Sequence, residues 1–218
     1  MSDFHFFDPE QESTVVYKQL PHWAQAGALA FITWRTADSL PAAALKRIVD
    51  ERTELLKSLG IEPDSDWRTA LRQLPRPDCG RAKQSLFESW DRQLDFGAGD
   101  CLLANPKLSL IVANSLRHFD DERYALTDFV VMPNHVHVLA ALRDAEALFE
   151  QCTSWKRFTA RRINSAVGRN GEFWQVEQFD QLVRSEAHFE HLRRYIADNP
   201  KKAGVAAGAY RHFSKTLT

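Results

Sequence analysis

The sequence predicts an α+β domain built on a ferredoxin-like, split βαβ antiparallel sheet with packed helices, and three observations carry that prediction. The recognisable elements run strand, helix, strand, strand, helix, strand, helix. The stretch Phe129 to Ala140 reads as a hairpin: Thr127 to Val131 is rich in β-branched residues, His135 to Leu142 is a second such run, and Pro133-Asn134 supplies the turn. In that order of elements the second hairpin strand lies inside the sheet. Strand alternation puts His135 and His137 on one of its faces and Val136 and Val138 on the other. A buried polar pair is costly without partners, so this strand is where a site is expected.

Taken in order, residues 1 to 26 show little periodicity and read as an extended arm with Phe4, Phe6, Phe7 and Trp23. Ala28 to Thr36 is the first strand, with Ala30, Ile32 and Trp34 on one face and Phe31, Thr33 and Arg35 on the other. Asp38-Ser39-Leu40-Pro41 opens a helix, since Ser or Asp caps and Pro fits the first turn. Leu45, Ile48, Val49, Leu55, Leu56 and Leu59 continue it to Gly60. Residues 61 to 103, broken by prolines and glycines, are expected to form a helical insertion within a single catalytic domain spanning 1 to 218. Asn105-Pro106 begins another helix with Leu108, Ile111, Val112, Leu116 and Phe119 at helical spacing. Asp144 to Asn164 is a long helix whose buried stripe is Leu148, Cys152, Trp155, Phe158 and Ile163. Phe179 to Val183 is a fourth strand. Ser185-Glu186 opens a last helix, expected to stop at Asn199 before Pro200.

At 218 residues, 44% hydrophobic and 26% charged, the chain has the composition of an ordinary globular protein with a sizeable core. No apolar run approaches bilayer length, and Met1-Ser2-Asp3-Phe4-His5 has no basic-then-apolar leader, so no membrane segment is expected. Cys79, Cys101 and Cys152 are scattered, odd in number and form no Cys-x-x-Cys pair, which argues against a disulfide frame or cysteine-zinc site and fits a reducing cytoplasm. The net charge of −1 hides an asymmetry. From residue 151 onward there are 12 Lys and Arg against 6 Asp and Glu, a local +6 set against −7 before it. A basic C-terminal third suits a polyanionic partner, and it also suits a solvated helix surface.

Two imidazoles side by side on a strand can hold a divalent metal. On the last helix Phe189, Leu192 and Ile196 make the core face, while Tyr195 and Asn199, four apart, stack on another. A tyrosine hydroxyl is a nucleophile and an amide oxygen is a hard metal ligand. If this helix crosses the histidine strand, Asn199 completes a His135, His137, Asn199 set and Tyr195 faces whatever the metal polarises. That arrangement suits phosphodiester cleavage with a phosphotyrosine product. Lys156, Arg157, Arg161, Arg162 and Arg184 are candidates to stabilise charge and track a nucleic-acid backbone. Each feature has an ordinary reading too: a satisfied core pair, a packed tyrosine, a solvated basic face. Phe173 and Trp174 fit a core better than a base-stacking platform, and His188 and His191 fit ordinary polar positions as well as outer support for the metal.

The blocks Val131-Met132-Pro133-Asn134-His135-Val136-His137-Val138-Leu139, Trp155-Lys156, Ile163-Asn164, Phe173-Trp174, Phe179-Asp180 and Val183-Arg184 carry a likeness that ends in Tyr195-Ile196-x-x-Asn199-Pro200-x-x-Ala203-Gly204. In this order they resemble the REP-associated tyrosine transposases, of the single-tyrosine class of His-hydrophobic-His endonucleases. Leu20-Pro21-His22-Trp23 and Phe31 to Pro41 extend the resemblance to about residues 20 to 205. It implies that His135 and His137 bind metal, that Tyr195 is the nucleophile and that Asn199 completes the metal set. Lys156 and Arg184 match positions where basic residues are frequent. It further implies Mg2+ or Mn2+ as cofactor, single-stranded hairpin DNA as partner, and cutting and rejoining through a 5′-phosphotyrosine. A monomer or homodimer is expected. The expected function is a DNA endonuclease and strand transferase. The alternatives are a hairpin-binding module that no longer cuts, and a metal-dependent hydrolase in which water attacks and Tyr195 only orients the substrate.

Overall fold

A computed structural model describes residues 4–17, 21–176 and 178–216. Its elements are β1 (Thr14–Tyr17), β2 (Pro21–Ala24), β3 (Leu29–Arg35), α1 (Ala42–Ser58), α2 (Trp67–Gln73), α3 (Arg76–Asp95), α4 (Pro106–Arg117), β4 (Tyr124–Val131), β5 (His135–Leu142), α5 (Ala145–Val167), β6 (Phe179–Leu182), α6 (Glu186–Lys202) and β7 (Arg211–Ser214). The chain divides into two compact units, Met1–Ala37 with Asp100–Thr218, and Asp38–Gly99. Leu20, the first residue of the Leu20 to Trp23 block, lies outside the described residues.

In the first unit, five antiparallel strands pair in the order β6-β3-β5-β4-β7. Counted along the chain, the first four strands of this sheet stand fourth, first, third, second, which is the predicted ferredoxin-like order with β7 added at one edge. The two sheet faces bury different residues. Ala30, Ile32 and Trp34 of β3 and Val136, Val138 and Ala140 of β5 pack under α4 and α5, against Leu108, Val112, Leu116, Leu148, Cys152, Trp155 and Ile163. Trp34 stacks on Trp155 at 5.8 Å and meets Trp174 edge-on at 6.2 Å. For two of these rings burial is tolerable because their N–H groups find acceptors, whereas the Trp34 N–H has none among the described residues. Trp155 donates to Tyr124 Oη, Tyr124 in turn donates to the Leu116 carbonyl, and Trp174 donates to Thr159 Oγ1. Phe173 and Trp174 are thus core residues.

The opposite face is covered by α6, which buries Phe189, Leu192 and Ile196. The N-terminal arm packs here as well, with the Phe4 and Phe6 rings 5.7 and 6.1 Å from Phe189. One expectation fails: α6 does not end before Pro200 but continues to Lys202 with the proline inside it. Proline costs a helix most in the interior, where it removes an amide donor and crowds the carbonyl four residues back. In the last turn only one such bond is lost, and Ala203 N–H to Asn199 O and Val205 N–H to Pro200 O close the end. The extra turn keeps Asn199 and Lys202 on the helix.

A buried ion pair ties α6 to the sheet. The register of β4 on β5 shifts between Leu126 and Asp128, and Asp128, 1% exposed, accepts from Arg193 Nε at 3.1 Å and from Ser214 Oγ at 2.6 Å. Arg193 also donates to Ser214 Oγ and to the Lys215 carbonyl. Asp128→Ala takes the buried carboxylate away from a guanidinium that is only 23% exposed. Chemical denaturation is expected to show a loss of about 2–3 kcal/mol.

The second unit is helical. α1 and α2 each pack on α3 around Leu56, Ile61, Leu71 and Ala82, with a second cluster of Leu40, Ala44 and Leu94. The Asp66 side chain caps α2 by accepting from Thr69 N, and Ser89 on α3 donates to Glu51 on α1. The two chain ends of this unit meet at Gly99, where φ is +89° and a Cβ would lie 2.9 Å from the Asp38 carbonyl oxygen and 2.7 Å from its carboxyl carbon. Only glycine fits there. The unit begins at Asp38 and so takes in α1 as well as most of the segment expected as an insertion, 61 to 103.

Candidate active site

β5 is the central strand of the sheet, and His135 and His137 are both fully buried on its α6 side. Their rings are 4.8 Å apart, with ligating nitrogens within 4.8 Å of one another. The antiparallel register sets Arg35 opposite His135 and Thr33 opposite His137 on the same face. Each imidazole is held at Nδ1: His135 lies 2.8 Å from Asn134 Oδ1, and His137 lies 2.7 Å from Thr33 Oγ1. With Nδ1 occupied in both rings, Nε2 is the nitrogen a metal would take.

α6 packs across β4 and β5 and brings Tyr195 to this pair. The Tyr195 ring meets His137 edge-on at 5.2 Å and Phe31 at 5.8 Å, while Phe31 stacks on His137 at 5.4 Å. Three rings thus fix one another. One turn on, Asn199 is 1% exposed, and neither Oδ1 nor Nδ2 has a hydrogen-bond partner among the described residues. A buried amide left in that state costs free energy. A cation beside Oδ1 offsets that cost, so this donor set of imidazoles and a hard amide oxygen fits a divalent metal.

Lys202, which sequence reading missed, belongs to the same surface. Seven residues after Tyr195, two helical turns, its ammonium lies 5.7 Å from the centre of the Tyr195 ring. The signal was available as spacing, but it depends on the helix continuing past Pro200. Arg35 adds a second cation on the histidine face, with burial lowering its pKa to about 10, so it remains charged at neutral pH.

The other basic candidates lie elsewhere. Arg157, Arg161 and Arg162 are exposed on α5, which covers the opposite face of the sheet from Tyr195. Lys156 donates to the Val176 carbonyl at 2.6 Å and to Gln178 Oε1 at 2.9 Å, pinning the segment that leads into β6. Arg184 sits on the turn into α6, and its backbone N–H reaches His188 Nδ1 at 3.3 Å. His188 therefore serves the start of the helix, two turns before Tyr195, and His191 is exposed.

Burial, with the nearby Lys202 charge, lowers the pKa of His137 from 6.5 to about 3. A histidine whose folded pKa lies below its unfolded value contributes full stability above the unfolded pKa, and loses it as pH falls toward the folded one. In metal-free buffer the protein is therefore expected to lose stability between about pH 6.5 and pH 3, the folded-to-unfolded ratio falling up to about tenfold per pH unit from this group. His137→Gln should flatten that dependence in denaturation measured across the range.

Residues 110–199 match a protein family described as "Transposase IS200 like", so the family resemblance read from the motifs is borne out. The matched segment holds β4, β5, α5, β6 and α6 as far as Asn199, and with them His135, His137 and Tyr195. Among solved structures, one similar chain is a REP-associated tyrosine transposase bound to a REP hairpin, 15% identical, covering 87% of this chain and 76% of that one at a TM-score of 0.45. Another is a candidate transposase from Deinococcus radiodurans R1, 14% identical, covering 78% of this chain and 89% of that one at a TM-score of 0.29. No curated protein matches. At these distances neither structure assigns a role to a residue of this chain.

Proposed function

We propose that this chain, whose residues 110–199 carry the IS200-like transposase pattern, is a metal-dependent single-strand DNA endonuclease and strand transferase acting on hairpin DNA. The observation that supports it most is the Tyr195 ring packed edge-on against His137, with a buried amide one turn on, at Asn199, that has no hydrogen-bond partner among the described residues. His135, His137 and Asn199 would hold Mg2+ or Mn2+, which when bound supplies Lewis-acid polarisation of a phosphate oxygen.

The chain's own residues do the rest. α6 presents the Tyr195 oxygen to the scissile phosphorus. A bond forms between that oxygen and phosphorus, the P–O3′ bond breaks, the tyrosine proton leaves to solvent and the departing 3′ oxygen takes one up. The product is a 5′-phosphotyrosine with a free 3′ hydroxyl, and reversal by another 3′ hydroxyl rejoins the strand. The Tyr195 hydroxyl oxygen is shielded from water, so the side chains covering it part as the strand binds. Lys202 and Arg35 are the cations placed to meet charge at the phosphate. Arg157, Arg161 and Arg162, across the sheet, together with Lys156 and Arg184, engage the DNA backbone away from the reaction. Among the described residues no helix is long and apolar enough to cross a membrane. With DNA as its substrate, the enzyme would act in the cytoplasm.

The test is incubation with labelled single-stranded hairpins from the neighbouring genome, with Mn2+ or with chelator, resolved on a denaturing gel. A metal-dependent band that survives boiling in detergent is expected. Cleavage without that band supports attack by water, and native binding with neither product supports a binding module; either result overturns the proposal.

A further inference from the structure

The two histidines are not held alike, and the difference points to a residue outside the motif. Asn134 meets His135 Nδ1 through its amide oxygen, which can only accept, so that contact alone presents Nε2 of His135 as a lone pair. Thr33 meets His137 Nδ1 at 2.7 Å through a hydroxyl, which can accept or donate. If the hydroxyl donates, the ring proton sits on Nε2 and the imidazole cannot ligate. If it accepts, Nε2 is a lone pair. The ring itself has little freedom, being stacked on Phe31 at an interplanar angle of 18° and capped edge-on by Tyr195. What remains to be set is where its proton lies. Thr33 is 0% exposed on a central part of β3, directly across from His137. At such a position valine supplies the same shape without burying a hydroxyl.

We propose that Thr33 is a positioning residue for metal binding: its hydroxyl accepts the Nδ1 proton of His137 and thereby turns the Nε2 lone pair toward the cation. The proposal rests on the metal reading given above and goes beyond it, naming the residue that selects the binding tautomer.

The test compares the full-length wild type, Thr33→Val and Thr33→Ser without DNA. Mn2+ binding is followed by loss of the free-ion electron paramagnetic resonance signal. The His137 tautomer is read from long-range proton–nitrogen correlations with Mg2+ present and absent. Thr33→Val is expected to weaken Mn2+ binding by about tenfold or more, and Thr33→Ser to restore it to within about threefold, as a hydroxyl at that site would. A purely structural threonine would leave Mn2+ affinity unchanged in folded Thr33→Val, and that result overturns the proposal. Wild-type protein that binds no Mn2+ removes the metal reading and Thr33 with it, whereas wild-type binding with an unchanged variant removes Thr33 alone. If Thr33→Val does not fold, the wild-type spectrum decides: His137 protonated at Nε2 in the Mg2+-loaded protein is the contradicting result.

Discussion

Tyr195→Phe is expected to abolish covalent attachment to DNA, a fall of at least about 1,000-fold in adduct formation, while hairpin binding stays within about twofold of wild type. The substitution keeps the ring, and with it the contacts to His137 and Phe31 that seat α6 on the sheet, so the loss reports the missing oxygen rather than a displaced helix. Tyr124 does not take its place. It lies under α5 on the far face, donates to the Leu116 carbonyl, and has its pKa raised by burial, with the Trp155 hydrogen bond opposing. Gel-shift titration under native conditions, beside the denaturing gel, separates the two quantities.

His137→Gln is expected to have the second largest effect. It removes one of two buried imidazoles and leaves Thr33 and Asn199 beside a site that holds the cation poorly. Mn2+-dependent cleavage should fall by about 100-fold or more, in line with losing a metal ligand rather than a contact around it. Chelation of the wild type should give the same phenotype, and excess Mn2+ should recover part of the variant's activity. A variant that cuts at the wild-type rate in limiting Mn2+ would remove His137 from the metal set.

The hairpin and its faces were legible because period-two alternation is a local property. β5 begins and ends at His135 and Leu142 as read, with Val136 and Val138 in the core. The face on which α5 lies was not legible. Helical periodicity identifies its buried stripe except for Phe158, which is exposed, yet which sheet face that stripe meets is decided by the crossover, and this placed Arg157, Arg161 and Arg162 away from Tyr195. The reach of α6 past Pro200 was missed for a physical reason: a proline ends helices in their interiors but is cheap in a last turn, and Lys202 was lost with that turn. Thr33 was placed on the correct face of its strand, but its partner depends on the pairing of β3 with β5, between residues 104 apart in the chain.

The most direct measurement is tryptic digestion of the Mn2+-dependent protein–DNA adduct after nuclease trimming, followed by mass spectrometry. Cleavage after Arg194 and Lys201 isolates a peptide beginning at Tyr195 and containing Asn199. The account predicts that this peptide carries the mass of a 5′-linked nucleotide, with fragmentation placing it on Tyr195, and that the released DNA ends in a 3′ hydroxyl. A nucleotide on Tyr210 or another residue, or cut DNA with this peptide unmodified, would contradict it.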